Sequence, residues 1–213
     1  MLERAGCEVH FDERQTCCGQ PAFNSGYRAE AREVARHFLD VFEDVEAVVM
    51  PSGSCASMTR HMALLFEDEG DRVRARRVAD KTFDLASFLV HQLRVEDLGA
   101  RFEGTVTWHD ACHGLRELGL RDEPRRLLGK VAGLRLREAE RRETCCGFGG
   151  TFSVKHPELS VAMVDRKLEE LETLGVDAVV SGDASCLLQI GGRLERTGRA
   201  VRVLHLAEVL AGR

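Results

Sequence analysis

Ala178-Val179-Val180-Ser181-Gly182-Asp183-Ala184-Ser185-Cys186 is the stretch on which the reading of this chain turns. A short valine-rich apolar run reads as a buried strand, small and polar residues then turn the chain, and Cys186 opens a helix. Ala47-Val48-Val49-Met50-Pro51-Ser52-Gly53-Ser54-Cys55 repeats the pattern with the same spacing from Ala to Cys. A strand that hands a cysteine to a helix start puts the thiol at the strand's carboxyl end, where open α/β sheets gather their ligands. The helix dipole there favours the thiolate, which is the form that binds metal.

Working outward, each stretch has matched neighbours. Thr16-Cys17-Cys18-Gly19 and Thr144-Cys145-Cys146-Gly147 precede them, and Leu85-Ala86-Ser87-Phe88-Leu89 and Leu206-Ala207-Glu208-Val209-Leu210 follow. Three landmarks in one order mean a duplicated unit. The first covers residues 1–98 and the second 105–213, with the join near Glu96 to Gly104. Strand and helix signals alternate in both. Glu8 to Phe11 reads as a strand, Tyr27 to Glu43 as a helix with Ala31, Val34, Ala35, Phe38, Leu39 and Phe42 on one stripe, and Ala47 to Met50 as a strand. Cys55 opens a helix, a polar, arginine-rich stretch runs from Asp68 to Asp80, and a further helix covers Leu85 to Leu93. In the second unit Thr105 to Trp108, Leu134 to Leu136, Ala178 to Ser181 and Val201 to Leu204 read as strands. Pro124 marks one helix start and His156-Pro157 opens a long helix to Leu174, with Val161, Val164, Leu168 and Leu171 inward. Gly191-Gly192 reads as a helix terminator. The expected fold is α/β, with two pseudo-symmetric, Rossmann-like βαβ halves and mainly parallel sheets.

The alignment of the units leaves a gap. Gly6 matches Gly133, so Thr105 to Leu128 has no counterpart in the first unit. A first strand and a cysteine equivalent to Cys112 are therefore expected to lie before Met1, which leaves the first unit three thiols: Cys17, Cys18 and Cys55.

At 213 residues, 44% hydrophobic and 31% charged, the chain has ordinary globular composition. A net charge of −5 gives no reason to propose nucleic acid, and Arg72, Arg74, Arg76 and Arg77, broken by apolar residues, read as a solvated face. No apolar run approaches the ~20 residues of a spanning helix, and the start resembles no export signal, so a cytoplasmic protein is expected. No G-x-G-x-x-G follows a strand and no P-loop is present. Eight cysteines in a chain of this kind favour metal ligation or redox chemistry over a disulfide framework.

In the second unit Cys112, Cys145, Cys146 and Cys186 are placed to converge. Their spacing lacks the paired C-x2-C knuckles of a zinc ribbon and the C-x2-C-x2-C run of bacterial ferredoxins. Adjacent cysteines suit neighbouring irons of one cluster, so an iron–sulfur cluster is the first reading; zinc and a thiol–disulfide redox pair are the alternatives. His109 and His113 flank Cys112 as ligands, hydrogen-bond donors or packing residues, and Asp110 is placed to cap the next helix. Lys155 and Arg116 read as solvated charge, Trp108 as core, and Cys7, without a repeat partner, as a core residue.

The longer motifs carry a resemblance. Gln15-Thr16-Cys17-Cys18-Gly19-Gln20-Pro21-Ala22-Phe23-Asn24-Ser25-Gly26, His109-Asp110-Ala111-Cys112-His113 and Thr144-Cys145-Cys146-Gly147-Phe148-Gly149-Gly150 resemble the cysteine-rich CCG-domain family, over essentially the whole chain. That family takes in the cysteine-rich component of heterodisulfide reductase and iron–sulfur proteins of glycolate, glycerol-3-phosphate and lactate oxidation; the lactate-utilization branch is the most similar. The resemblance implies a [4Fe-4S] cluster, zinc being the lesser candidate at one site. It also implies an electron-transfer role in a complex that oxidises L-lactate to pyruvate, with a ferredoxin-like iron–sulfur protein and a further subunit as partners. The heterodisulfide reductase branch ends its motif in Cys-x-x-Cys, whereas Ala56-Ser57-Met58 follows Cys55 and Leu187-Leu188-Gln189 follows Cys186. A thiol–disulfide reductase is therefore the alternative, with a zinc-stabilised structural module the third reading.

Overall fold

Short parallel strands, each leading into a helix, make up both halves of the computed structural model, which describes residues 1–212. The first half runs α1 (Gln20–Asn24), α2 (Arg28–Phe42), β1 (Val48–Met50), α3 (Gly53–His61), α4 (Glu69–Asp80), β2 (Thr82–Asp84) and α5 (Leu85–Ser87), the last continued by a π-helical turn over Phe88–Gln92. The second runs β3 (Arg101–Trp108), α6 (Cys112–Arg116), α7 (Glu123–Leu128), β4 (Ala132–Leu136), α8 (Thr151–Lys155), α9 (Pro157–Leu174), β5 (Ala178–Ser181), α10 (Ala184–Arg196), β6 (Arg202–His205) and α11 (Leu206–Ala211). From each Cys-Cys-Gly loop onward the halves follow the same order, with one added helix, α4, in the first.

β1 and β2 form a parallel pair, with Val48 opposite Thr82 and Met50 opposite Asp84. The second sheet has the order β4-β3-β5-β6, all parallel. Side chains alternate across β5 as the pleat requires. Ala178 and Val180 face a core built with Leu85, Leu89, Val106, Trp108, Leu206 and Leu210, which draws on both sides of the expected join. Val179 faces the opposite core, where Val164, Leu168 and Ile190 from α9 and α10 pack beside Cys146 and Cys186. The sheet thus has covered faces on both sides, as a parallel sheet needs.

Several local readings are corrected. Glu8 to Phe11 forms no strand, and Val9 and Phe11 are exposed. Its repeat counterpart is β4, whose only ladder is with β3, and among the described residues the first half has no counterpart of β3. An alternating sequence without a neighbour to bond has no sheet to join. The polar stretch after Asp68 is helix α4: the Asp68 carboxylate caps it by accepting from the Asp71 N–H, and only Ala75 and Val78 are buried. Its arginines do lie at the surface, Arg74 pairing with Asp40 and Glu43. Val161 is exposed, although Val164, Leu168 and Leu171 are buried as expected. Gly191 and Gly192 sit inside α10 rather than ending it. A Cβ on Gly191 would lie 2.9 Å from Val203, so the glycine lets the helix lie close on β6.

Candidate metal centre

All four second-half thiols reach the site from the carboxyl side of a strand. Cys112 follows β3, Cys145 and Cys146 lie in the loop after β4, and Cys186 is in the first turn of α10 after β5. Cys146 Sγ is 3.1 Å from Cys186 Sγ. Cys145 lies near enough to Cys112 and Cys146 for these thiols to shift one another's pKa, so all four sulfurs gather at one place. The Cys112 and Cys146 thiols are pushed up by interaction with Cys145 and by burial, while Cys145 is held far below the ordinary thiol value. The Gly147 N–H also donates to Cys145 Sγ at 3.4 Å.

The first half builds the same loop. Gly19 N–H donates to Cys17 Sγ at 3.4 Å, and Gly19 and Gly147 share a left-handed φ of 83° and 82°. Cys18 and Cys55 lie close enough for their interaction to lower the Cys55 thiol and raise that of Cys18. Cys17, Cys18 and Cys55 therefore gather at the start of α3. All eight cysteines are free thiols. Cys7 is half-buried, lies in no strand, and its N–H bonds the Leu2 carbonyl.

Around the second site the protein supplies a buried polar frame. Lys167, 2% exposed, donates to the Arg142 and Thr144 carbonyls on the approach to Cys145. Burial lowers its pKa, and the neighbouring Glu170, Cys146 and Cys186 oppose that shift. Ser160 Oγ donates to the Gly147 carbonyl at 2.8 Å and accepts from Gln189. Asp110 caps no helix: it accepts from Trp108 Nε1 and takes a two-pronged ion pair from Arg125. Lys155 and Arg116 are exposed, as expected. His113 touches Cys112 Sγ at 3.6 Å and Gln20 at 3.4 Å, and so stands between the two halves. His109 is buried, its pKa lowered to about 3 chiefly by that burial, so the imidazole is neutral.

Ser52 and Asp183, equivalent positions in the two units, meet each other. They form an antiparallel bridge at the mouths of β1 and β5. Asp183 Oδ1 accepts from the Cys186 N–H of its own helix, and Oδ2 accepts from the Ser54 N–H of α3 at 2.9 Å. In return Ser52 Oγ accepts from the Ala184 N–H at 2.9 Å. Each half thus caps the other's cysteine-bearing helix, which holds the starts of α3 and α10 against each other. Asp183→Ala strands two buried N–H donors and is expected to destabilise the fold by about 2–4 kcal/mol, against ~1 kcal/mol for Ser52→Ala. Urea unfolding of both variants checks this, and equal losses would refute the two-helix role of Asp183. Neither this exchange nor Lys167 was read from sequence. The available signals were an Asp three residues before the cysteine and a lysine falling on the inward stripe of α9.

The donor set fits a soft metal centre. Clustered thiols with a neutral imidazole beside them select iron–sulfur clusters or zinc over magnesium or calcium. A buried ring with unpartnered nitrogens beside that cluster is a second sign that the fold is shaped around a ligand-binding group. No helix among the described residues is long and apolar enough to cross a membrane.

Comparison with known proteins agrees with this geometry. A family model described as a cysteine-rich domain, CCG, matches residues 1–60 and 106–191. The chain is 50% identical over 211 residues to lactate utilization protein A of Anoxybacillus flavithermus, covering 99% of this chain and 89% of that protein. It is 49% identical over 214 residues to the protein of the same name from Bacillus cytotoxicus, covering 100% and 90%. With the Halalkalibacterium halodurans protein it shares 47% over 211 residues, covering 99% and 86%. Matched in both of its units and about half identical to these proteins along almost its whole length, the chain belongs to the cysteine-rich CCG-domain family.

Proposed function

We propose that this protein is an iron–sulfur electron-transfer subunit of an assembly that oxidises L-lactate to pyruvate. The observation that carries the reading is the gathering of four thiols, with Cys146 and Cys186 in direct contact and Cys112 and Cys145 close enough to shift each other's pKa. The substrate comes from relatives named for lactate utilization. Bound there, a cluster supplies one-electron carriage. Cys112, Cys145, Cys146 and Cys186 hold it, and Cys17, Cys18 and Cys55 form the corresponding set of the first half. The chain's own groups prepare the site. Lys167 offsets thiolate charge, the Gly147 N–H stabilises Cys145, and the buried walls of α9 and α10 keep water out. Lactate oxidation releases two electrons, and the component that removes hydride is a partner protein, with a ferredoxin-like iron–sulfur protein alongside.

Protein purified without oxygen is expected to be brown and to contain iron and acid-labile sulfide in comparable amounts. Deleting the gene is expected to impair growth on L-lactate and leave growth on glucose intact. Unimpaired lactate growth, in a strain without a second lactate dehydrogenase, would overturn the substrate. A second reading has its own observation: His109, Cys146 and Cys186 offer ligand atoms all within 4.8 Å of one another, a set that suits one tetrahedral zinc ion. Colourless protein with zinc and no sulfide would favour it.

A further inference from the structure

His109 is the one buried histidine whose ring the fold leaves unused. It is 1% exposed, and neither Nδ1 nor Nε2 has a hydrogen-bond partner. Its main chain is pinned on both sides: the N–H donates to the Val180 carbonyl at 2.8 Å, and the carbonyl accepts from Ser181 Oγ at 3.1 Å. The backbone therefore aims the ring at one place. A neutral imidazole carries one donor and one lone pair, and leaving such groups buried and unpaired is costly. Lys167, which faces the same space from α9, spends its donors on Arg142 and Thr144 and offers the ring no acceptor. His113 differs, since it is partly exposed and both its nitrogens have neighbours.

What the ring does face is sulfur. One of its nitrogens and the sulfurs of Cys146 and Cys186 lie within 4.8 Å of one another. A tetrahedral metal bonded to nitrogen at about 2.1 Å and to sulfur at about 2.3 Å sets the two about 3.6 Å apart, so an inward movement of about 1 Å completes the bonds. We propose that His109 is a metal ligand: its imidazole nitrogen coordinates the centre held by Cys146 and Cys186, taking one of four ligand positions and leaving either Cys112 or Cys145 as a free thiol, so that the second site is a mixed nitrogen–sulfur site. The inference rests on the reading that this half holds a metal centre. It distinguishes the two halves, because β3, which delivers His109, has no counterpart among the described residues of the first half. On an iron–sulfur cluster, exchanging thiolate for imidazole raises the reduction potential.

The test uses full-length protein purified without oxygen, grown with and without 15N-labelled histidine. Metal and sulfide are measured first, and pulsed electron paramagnetic resonance is then recorded on the reduced protein, or on cobalt(II)-exchanged protein where zinc is found. A nitrogen coupling of bonded strength is expected, changing with the label and vanishing in His109→Cys. That variant is expected to keep its metal and, with iron, to show a more negative midpoint potential. Metal without a histidine coupling, or with only the weak coupling of a hydrogen bond, overturns the ligand assignment and leaves the proposed function standing. A coupling that persists in His109→Cys overturns it too, by moving the nitrogen to another histidine. No metal in the second half removes the centre and this inference together. The measurement on the unaltered protein decides even where the variant fails to fold.

Discussion

Cys186→Ser is expected to strip most of the metal from the second half while leaving the fold in place. Serine keeps the size of the side chain and the first-turn position in α10, and the helix keeps its cap, because Asp183 bonds the backbone N–H of residue 186 rather than its sulfur. What is lost is the sulfur that sits 3.1 Å from Cys146. Removing a direct ligand should weaken binding by more than the roughly 10–100-fold typical of changes in the surrounding hydrogen-bond shell. Cys7→Ser is the control, since Cys7 lies outside both thiol groups and should leave metal content unchanged. Metal analysis of both variants reads the outcome. A Cys186→Ser protein with its full iron content would dismiss the four-thiol centre. One that loses metal from both halves equally would mean that the two sites load as a unit, a result the shared caps at Ser52 and Asp183 make physically reasonable.

The thiol groups were legible in the sequence because their signal is local. Spacing alone placed Cys55 and Cys186 at helix starts after a strand, and the repeat identified their partners. The parallel strands β1 and β5 were likewise readable, as short apolar runs with helices between them. What escaped was set by partners distant in sequence. Val9 and Phe11 alternate as a strand should, yet strand formation needs a ladder, and none is present beside them. α4 has so few apolar residues that periodicity could not reveal it; its cap at Asp68 was the better signal. Thr82 to Asp84 is too short to read as a strand, though it pairs with β1 and ends in a buried carboxylate that caps α5. Gly191 was read through its poor helix propensity, whereas contact with Val203 decides its place. The exchange of caps between Ser52 and Asp183 is a tertiary fact, visible only once the halves are docked.

Gly147→Ala and Gly19→Ala separate what the two Cys-Cys-Gly loops share from what they do not. Both glycines hold φ near +82°, a conformation that costs any residue with a Cβ about 1 kcal/mol or more. Their surroundings differ. A Cβ at Gly19 would meet the Val34 side chain at 3.3 Å, and that side chain is only half-buried and can give way. At Gly147 it would stand 2.5 Å from the Ser160 carbonyl oxygen and 3.0 Å from Met163 Cβ. That carbonyl belongs to the backbone of α9, which cannot retreat: the Ser160 hydroxyl is tied to the Gly147 carbonyl and to Gln189, and Val164 and Leu168 seat the helix in the core. The loop must move instead, carrying Cys145 and Cys146 away from Cys186. Gly147→Ala is therefore expected to cost about 3 kcal/mol or more, in the range where a specific clash is the cause, and to lower metal binding in the second half. Gly19→Ala should cost about 1 kcal/mol and leave second-half metal untouched. Urea unfolding of the metal-free variants gives the first comparison and metal content the second. Equal losses in the two variants would mean that backbone conformation alone sets the demand for glycine, and that the close seat of the second loop on α9 contributes nothing.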